Sequence, residues 1–191
     1  VYAGGVEYPN VTGFDPLPAG TYTVSVAPAT TMNDVIGPVD LPFDAGTLNS
    51  VLVVDTLDTI LNDPDYLPII LRDDARPYAT NARVRVIHAA PGAPTVDVYV
   101  VPVDPMMETD ITNVEPTLPD FDFRTVTEYL SLAEGDYDVI VTGVDSKDPV
   151  IGPKTVSIEN GGVYTAIARQ PGDNVMDFDV IVLADVLNDE T

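Results

Sequence analysis

The stretch Ala82–Val100, ARVRVIHAAPGAPTVDVYV, determines the fold of this chain. Alternate positions on either side of a turn form one largely apolar series: Val84, Val86, His88, Val96, Val98 and Val100. Alternation with a period of two is typical of β-strands with one buried face. The turn, Pro91-Gly92-Ala93-Pro94, contains residues that end strands. The stretch therefore predicts two strands that form a β-hairpin.

The segment RVIHAAPGAPTVDVYV, residues 85–100, resembles the opening hairpin of a secreted bacterial domain, the domain of unknown function 4397 (DUF4397). The resemblance implies a β fold and a location outside the cell, and it brings no established activity. It also implies that His88 stands at the end of the family's first strand.

The rest of the chain contains an internal repeat. Residues 17–26 (LPAGTYTVSV) match residues 132–141 (LAEGDYDVIV) at an offset of 115. The same offset relates three more pairs: VIGP at 35–38 and 150–153, Gly46 and Gly161, and Phe14 and Tyr129. Residues 66–71 (YLPIIL) match residues 178–183 (FDVIVL) at an offset of 112, and the change falls in a loop. An offset that is held across several blocks indicates a duplicated module.

Both copies contain the pattern Gly-x-Tyr-x-Val-x-Val, which resembles the tyrosine corner of Greek-key sandwiches. In that motif a glycine permits the turn, and the tyrosine begins a strand with its ring in the core and its hydroxyl bonded to nearby backbone. We therefore expect structural roles for Gly20, Tyr22, Gly135 and Tyr137.

The sequence predicts an all-β protein with two tandem Greek-key β-sandwich modules of the immunoglobulin-like or transthyretin-like kind. The modules are expected at residues 1–78 and 79–191, with a charged segment that lacks periodicity at the boundary. Residues 101–120 are a proline-rich insertion in the second module, where we expect a long loop or an extra hairpin.

The first module has no counterpart of the Ala82–Val100 stretch, although the other segments of the second module recur in it. Two explanations remain open: N-terminal sequence has been removed by cleavage or truncation, or the two strands come from a neighbouring subunit. The chain begins at Val1 without methionine, which favours a processed chain or a fragment. Under the second explanation, the donor is expected to be residues 101–120 or the tail after Leu183.

Composition excludes several classes of function. A net charge of -23 argues against nucleic acid and anionic membranes as partners, because their phosphates would be repelled. The chain has no cysteine, so thiol catalysis and disulfides are excluded. No apolar run approaches the roughly 20 residues of a membrane-spanning helix.

His88, the only histidine, has no partners in the sequence that indicate a catalytic triad. No G-x-S-x-G motif is present, and no glycine-rich phosphate loop is present. We expect His88 to be structural, with a ring nitrogen bonded to the turn or to Asp97. No catalytic residues are predicted.

Calcium is the cofactor that the acidic loops favour, because Ca²⁺ prefers several carboxylate and carbonyl oxygens. None of the loops has the spacing of an EF-hand, and a solvated acidic loop is the default interpretation of each. The candidate ligands are Asp63, Asp65, Asp145, Asp148, Asp173 and Asp177.

The sequence thus predicts a non-enzymatic structural or interaction protein, located outside the cell or at the cell surface. Its expected partners are copies of itself, in a filament or another homopolymer built by strand addition. The alternative is a secreted module that binds calcium or carbohydrate in adhesion.

Overall fold

The computed structural model describes residues 4–6, 10–28, 34–55, 57–63, 66–73, 79–171 and 178–186. The chain divides into two compact units, Val1–Asp74 and Ala75–Thr191. The regular secondary structure described in both units is almost entirely β-strand, which confirms the all-β prediction. Within these described ranges, no helix is long and apolar enough to cross a membrane.

The first unit contains four strands and one short helix in its described part. They are β1 (Gly20–Val26), β2 (Ile36–Phe43), β3 (Leu48–Leu52), α1 (Leu57–Asn62) and β4 (Ile69–Asp73). β1 pairs antiparallel with β2, and β3 pairs antiparallel with β4, which gives two separate two-stranded sheets. Ile36 of β2, Ile60 of α1 and Tyr66 form a small buried cluster.

The described part of the second unit, residues 79–171 and 178–186, contains eight strands. They are β5 (Ala82–Ala89), β6 (Val96–Pro102), β7 (Leu118–Phe121), β8 (Leu130–Leu132), β9 (Gly135–Gly143), β10 (Pro149–Ile158), β11 (Val163–Arg169) and β12 (Asp179–Val186). One sheet has the order β10-β9-β6-β7 and the other the order β12-β11-β5-β8. Residues from both sheets share one apolar cluster, so this unit is a β-sandwich, as predicted.

β5 and β6 do not form a hairpin, and this part of the sequence prediction is wrong. β5 pairs in parallel with β11 in one sheet, whereas β6 pairs antiparallel with β9 in the other. The turn at residues 91–94 therefore crosses from sheet to sheet. Val86 and Val98 then meet in the core from opposite sides, which buries both apolar series. Alternation alone predicts a buried face and does not identify the strand's neighbour.

An ion pair joins the two sheets of the second unit at their outer strands. Lys154 of β10 donates to Asp179 Oδ1 of β12 over 2.7 Å, and Arg169 of β11 donates to Asp179 Oδ2 over 3.0 Å. Burial opposes ionisation of Asp179, but the hydrogen bonds from Lys154, Val180 and Arg169 outweigh it and lower the pKa of this carboxyl below 3.8.

The repeat offset of 115 is reproduced in backbone geometry. Gly37 has a φ of 85° and Gly152 a φ of 89°. A Cβ at Gly37 would lie 2.4 Å from the Val24 carbonyl oxygen, and one at Gly152 would lie 2.3 Å from the Val139 carbonyl oxygen. Both positions therefore require glycine, for backbone conformation and for space. The same close approach of strands occurs in both units.

Candidate interaction site

The free edge of β1 is the first part of the candidate site. In the second unit, β9 is the counterpart of β1 and pairs with β10 on one side and β6 on the other. β1 pairs with β2 alone, and no described residue pairs with its other edge. In the described part of the first unit, one edge of β1 is therefore unpaired at the position that β6 occupies in the second unit.

The free edge of β3 is the second part. Its counterpart β11 pairs with β12 and, in parallel, with β5. β3 pairs with β4, and nothing in the described ranges occupies its opposite edge. The two open edges thus correspond to β5 and β6, the two strands of the stretch that the first module lacks in sequence.

Apolar side chains that belong to a core are exposed beside these edges. Val51 and Ile70 face each other across β3 and β4, and their side chains are 39% and 42% exposed. Their counterparts, Ala166 and Val182, are also a cross-strand pair, and both pack in the core of the second unit. Leu17 is 46% exposed, whereas its counterpart Leu132 packs against that core. The inner face of the first unit is therefore incompletely covered.

The two predicted tyrosine corners have matching geometry. Tyr22 donates its hydroxyl proton to the Pro18 carbonyl over 2.7 Å, and Tyr137 donates to the Ala133 carbonyl over 3.0 Å. Both rings are half-buried rather than fully buried. The Tyr137 ring packs against the core of the sandwich, and the Tyr22 ring lies 5.8 Å from that of Phe43.

Gly20 and Gly135 begin the two corner strands, β1 and β9. Gly135 has a φ of 147°, a conformation that favours glycine. Gly20 has no such requirement, so the two positions are equivalent in sequence but not in conformation.

Each unit also has a threonine–aspartate hydrogen bond across its corner strand, but the two residue types are on opposite strands in the two units. In the first unit, Thr23 of β1 donates to Asp40 of β2 over 2.7 Å. In the second, Thr155 of β10 donates to Asp138 of β9 over 2.6 Å. The threonine and the aspartate have changed strands while the cross-strand hydrogen bond remains, which supports the common origin of the two sheets.

His88 is buried at the end of β5, with 1% of its surface exposed. The backbone N–H of Ala90 points at Nδ1 over 3.3 Å, so Nδ1 is the acceptor and Nε2 donates to the Pro94 carbonyl, also at 3.3 Å. Burial lowers the pKa of His88 below 6.5 and favours the neutral ring, although the hydrogen bond to Pro94 and the charge of Asp122 oppose this. The ring is bonded to the turn rather than to Asp97.

Asp97 is also buried, at 5% exposure, and it holds strand β7 and the turn between β9 and β10. Its Oδ1 accepts the backbone N–H of Asp120 over 3.0 Å, and its Oδ2 accepts that of Asp145 over 3.3 Å. Asp120 and Asp145 have positive φ, 49° and 58°, which is uncommon for residues other than glycine. The carboxylate thus stabilises uncommon backbone conformations in β7, where its pairing with β6 is irregular, and in the β9–β10 turn.

The predicted insertion forms a long loop, residues 103–117, followed by the added strand β7, which pairs with β6. Ile111 is 5% exposed and packs against Tyr99 and Ile140 on the outer face of β6 and β9. Lys147 fastens the loop, since it donates to the Tyr99 hydroxyl over 3.0 Å and to the Val114 carbonyl over 2.5 Å. The insertion therefore covers its own unit, and we withdraw it as a strand donor.

The candidate calcium ligands lie in separate loops, and three of them are among the described residues. Asp63 follows α1, whereas Asp145 and Asp148 lie in the turn between β9 and β10, and all three are exposed. Within the described part of the chain, no group of three or more acidic or histidine side chains is placed to hold a metal. Asp65, Asp173, Asp177 and the tail beyond residue 186 lie outside the described residues.

Comparison with known protein families tests the family resemblance noted for the sequence of β5 and β6. The profile of the family described as domain of unknown function (DUF4397) matches residues 1–99 and 101–190. The chain belongs to the DUF4397 family. The two DUF4397 matches confirm a tandem arrangement, and they meet at residue 100, whereas the structural units meet at residues 74 and 75. A search among curated proteins finds no match.

Sequence reasoning identified the absent strands but not the residues on the acceptor edge of β3. Ser50 stands where the second unit has Thr165, and it donates to Asp73 of β4 over 2.7 Å. Asp73 matches Asp185 at the offset of 112, and Ser50 matches Thr165, another hydroxyl residue, at the offset of 115. The repeat alignment therefore relates both positions, but it does not indicate the hydrogen bond between Ser50 and Asp73.

Proposed function

We propose that this DUF4397 protein is a non-enzymatic structural protein of the cell exterior, which assembles with copies of itself by accepting strands at the first unit. The observation that carries the proposal is that, in the described part of the first unit, β1 and β3 each have an unpaired edge and apolar side chains on β3 and β4 are exposed.

The physical argument begins with the marginal stability of small sheets. Two-stranded sheets are marginally stable in water, and unpaired strand edges are templates for pairing with another chain. Added strands would also cover Val51, Ile70 and Leu17, each with roughly 1 kcal/mol to gain from burial of its exposed part. Strand addition supplies backbone hydrogen bonds and apolar burial at the same place.

The arrangement of the contact determines the kind of assembly. An acceptor on the first unit and a donor elsewhere on a neighbouring subunit form a heterologous contact. Such contacts give filaments when they do not close into a ring. The net charge of -23 supports an exterior location in salt water, where ions screen repulsion between subunits.

The test is the particle size of the native protein, measured by light scattering and electron microscopy. We expect large particles for the wild type and small ones for Val51→Lys, which places a charge on the inner face beside the β3 edge. Val150→Lys is the matched control, because Val150 is 49% exposed on β10 of the completed sandwich. Its particles should remain large.

Circular dichroism of both variants establishes that they are folded. Native protein that is monomeric at high concentration would refute the proposal. Strands that come from sequence preceding residue 1 would have the same consequence, since the edges would then be covered within one polypeptide and Val51→Lys would not alter particle size.

A further inference from the structure

The second unit contains an apolar cavity between its two sheets, with a volume of about 40 Å³. Every strand from β5 to β12 contributes to its lining, and the lining side chains are those of Val, Ile, Leu, Ala, Phe and Tyr. We infer that this cavity is a binding site for a small uncharged molecule with an unbranched hydrocarbon chain, which enters the sandwich chain first. The site belongs to the second unit and is independent of strand addition at the first.

The wall of the cavity offers no partner to a polar or charged ligand group. Among the lining residues, all of which are described, the one polar side-chain group is the Tyr137 hydroxyl, and it already donates to the Ala133 carbonyl over 3.0 Å. A buried water needs two to four polar partners, so an apolar cavity of this kind stays dry. A hydrocarbon chain gains dispersion contacts with the wall and leaves water at the same time.

The size of the cavity selects a short chain. One water molecule needs roughly 10–15 Å³ of such space, so about 40 Å³ corresponds to roughly three groups of that size. An engineered cavity that takes benzene measures roughly 150 Å³. A few CH₂ groups in a row therefore match the space better than an aromatic ring does.

Two alanines on the central strand β11 create the space. Ala166 and Ala168 both line the cavity, and β11 lies between β12 and β5 in its sheet. The repeat offset of 115 relates them to Val51 and Val53 of the first unit. The module thus carries valine at both positions in one copy and the smaller residue at both positions in the other.

Part of the wall is accessible from solvent. Six lining residues, drawn from both sheets, are half-buried: Val100, Leu132, Tyr137, Val139, Val156 and Val182. Val98 and Val141, further along β6 and β9, are each 3% exposed. The cavity therefore has an accessible part and a closed part, so a chain can enter while its polar end remains in water.

The ion pair at the outer strands keeps the two sheets in place around the cavity. Lys154 of β10 bonds to Asp179 of β12 and also donates to the carbonyl of Val180, which is a lining residue. The first unit has Val39 and Leu67 at the positions of Lys154 and Asp179. The second unit thus combines the ion pair with the two alanines, and the first unit has neither. A preformed cavity binds without the cost of opening the sandwich.

The experiment titrates the full chain, labelled with ¹³C at its alanine and isoleucine methyl groups, with 1-hexanol. We expect saturable shifts of the Ala166 and Ala168 methyl resonances. The Ile70 methyl resonance is the internal control, because Ile70 is 42% exposed in the first unit and reports adsorption to exposed apolar surface. 1,6-Hexanediol is the matched ligand, and we expect it to bind at least about tenfold more weakly because its second hydroxyl would be buried without a partner.

Filling the cavity tests its location. Ala166→Val introduces the residue of the first unit, and we expect it to weaken hexanol binding at least about tenfold while circular dichroism shows an unchanged sandwich. Ala45→Val makes the same substitution at an exposed residue of the first unit and should leave binding unchanged. If Ala166→Val does not fold, Ala168→Val and the comparison of hexanol with hexanediol in the wild type decide the question.

A series from 1-butanol to 1-decanol tests the size of the site. We expect affinity to rise about fourfold for each added CH₂ and then to level off once the chain fills the cavity. Affinity that rises along the whole series would indicate adsorption to exposed surface and would refute a bounded site. The inference also fails if no saturable shift occurs at Ala166 and Ala168, if the diol binds as well as the alcohol, or if Ala166→Val binds undiminished. In each of these cases the cavity is a packing void only.

Discussion

Replacement of Asp97 by asparagine tests whether one buried carboxylate stabilises an end of the second sandwich. Its two oxygens accept backbone N–H groups at 3.0 and 3.3 Å, from residues with positive φ. Asparagine retains one acceptor and directs an amide N–H₂ towards the other backbone N–H. A hydrogen bond to a charged group contributes roughly 1.5–3 kcal/mol, and a buried donor without a partner costs roughly 1–3 kcal/mol. We therefore expect Asp97→Asn to lower the free energy of unfolding by about 2–4 kcal/mol.

Urea unfolding, followed by circular dichroism, measures this loss. Asp136→Asn is the control, because it makes the same change of charge at an exposed residue that accepts a hydrogen bond from Ser157 on the neighbouring strand. We expect the control to change stability by less than about 0.5 kcal/mol. A similar effect in both variants would show that Asp97 acts through net charge, and would refute the role of its two hydrogen bonds.

Three further predictions concern the corners, the histidine and the charge. Tyr22→Phe and Tyr137→Phe should each lower the free energy of unfolding by on the order of 1 kcal/mol in urea titrations, since each loses one hydrogen bond to the backbone. Burial lowers the pKa of His88, so the stability that its neutral ring contributes is complete above pH 6.5 and is lost as the pH falls from 6.5 towards the folded-state pKa. Thermal unfolding between pH 7 and pH 5 should therefore depend less on pH in His88→Gln than in the wild type. Removal of salt should lower the unfolding temperature, because a net charge of -23 is then unscreened, and a constant temperature from low to molar salt would contradict this.

Much of the fold could be predicted because the repeat constrains it. The pattern around Tyr22 and Tyr137 identified two equivalent strands, and the structure places a tyrosine-to-carbonyl bond at the same spacing in both. The pairing of β5 could not be predicted in the same way. A short turn with two prolines fits a hairpin and a crossing between sheets equally well, and only the complete set of strand neighbours separates them.

Some features of the candidate site could be predicted from the sequence, and others could not. In the described part of the first unit, no strand occupies the places of β5 and β6, and a comparison of the two copies in the given sequence predicts this. The hydrogen bond between Ser50 and Asp73 was not predictable, because it depends on the register between β3 and β4. The position of Ile111 was missed for the same reason, since an insertion in sequence carries no indication of the face that it covers.

The differences between the units indicate which surface of the first unit would gain free energy from the added strands that we propose. On the outer face, Thr23 and Ser25 of β1 are polar and exposed, so water can solvate their hydroxyl groups. On the inner face, Val51 and Ile70 retain the apolar character of the core pair that they match. Because the outer face is satisfied by solvent and the inner face is not, the free energy to be gained lies between the sheets and along their open edges. A partner that only touches the outside of the first unit would recover none of it, whereas a pair of inserted strands would recover both the hydrogen bonds and the burial.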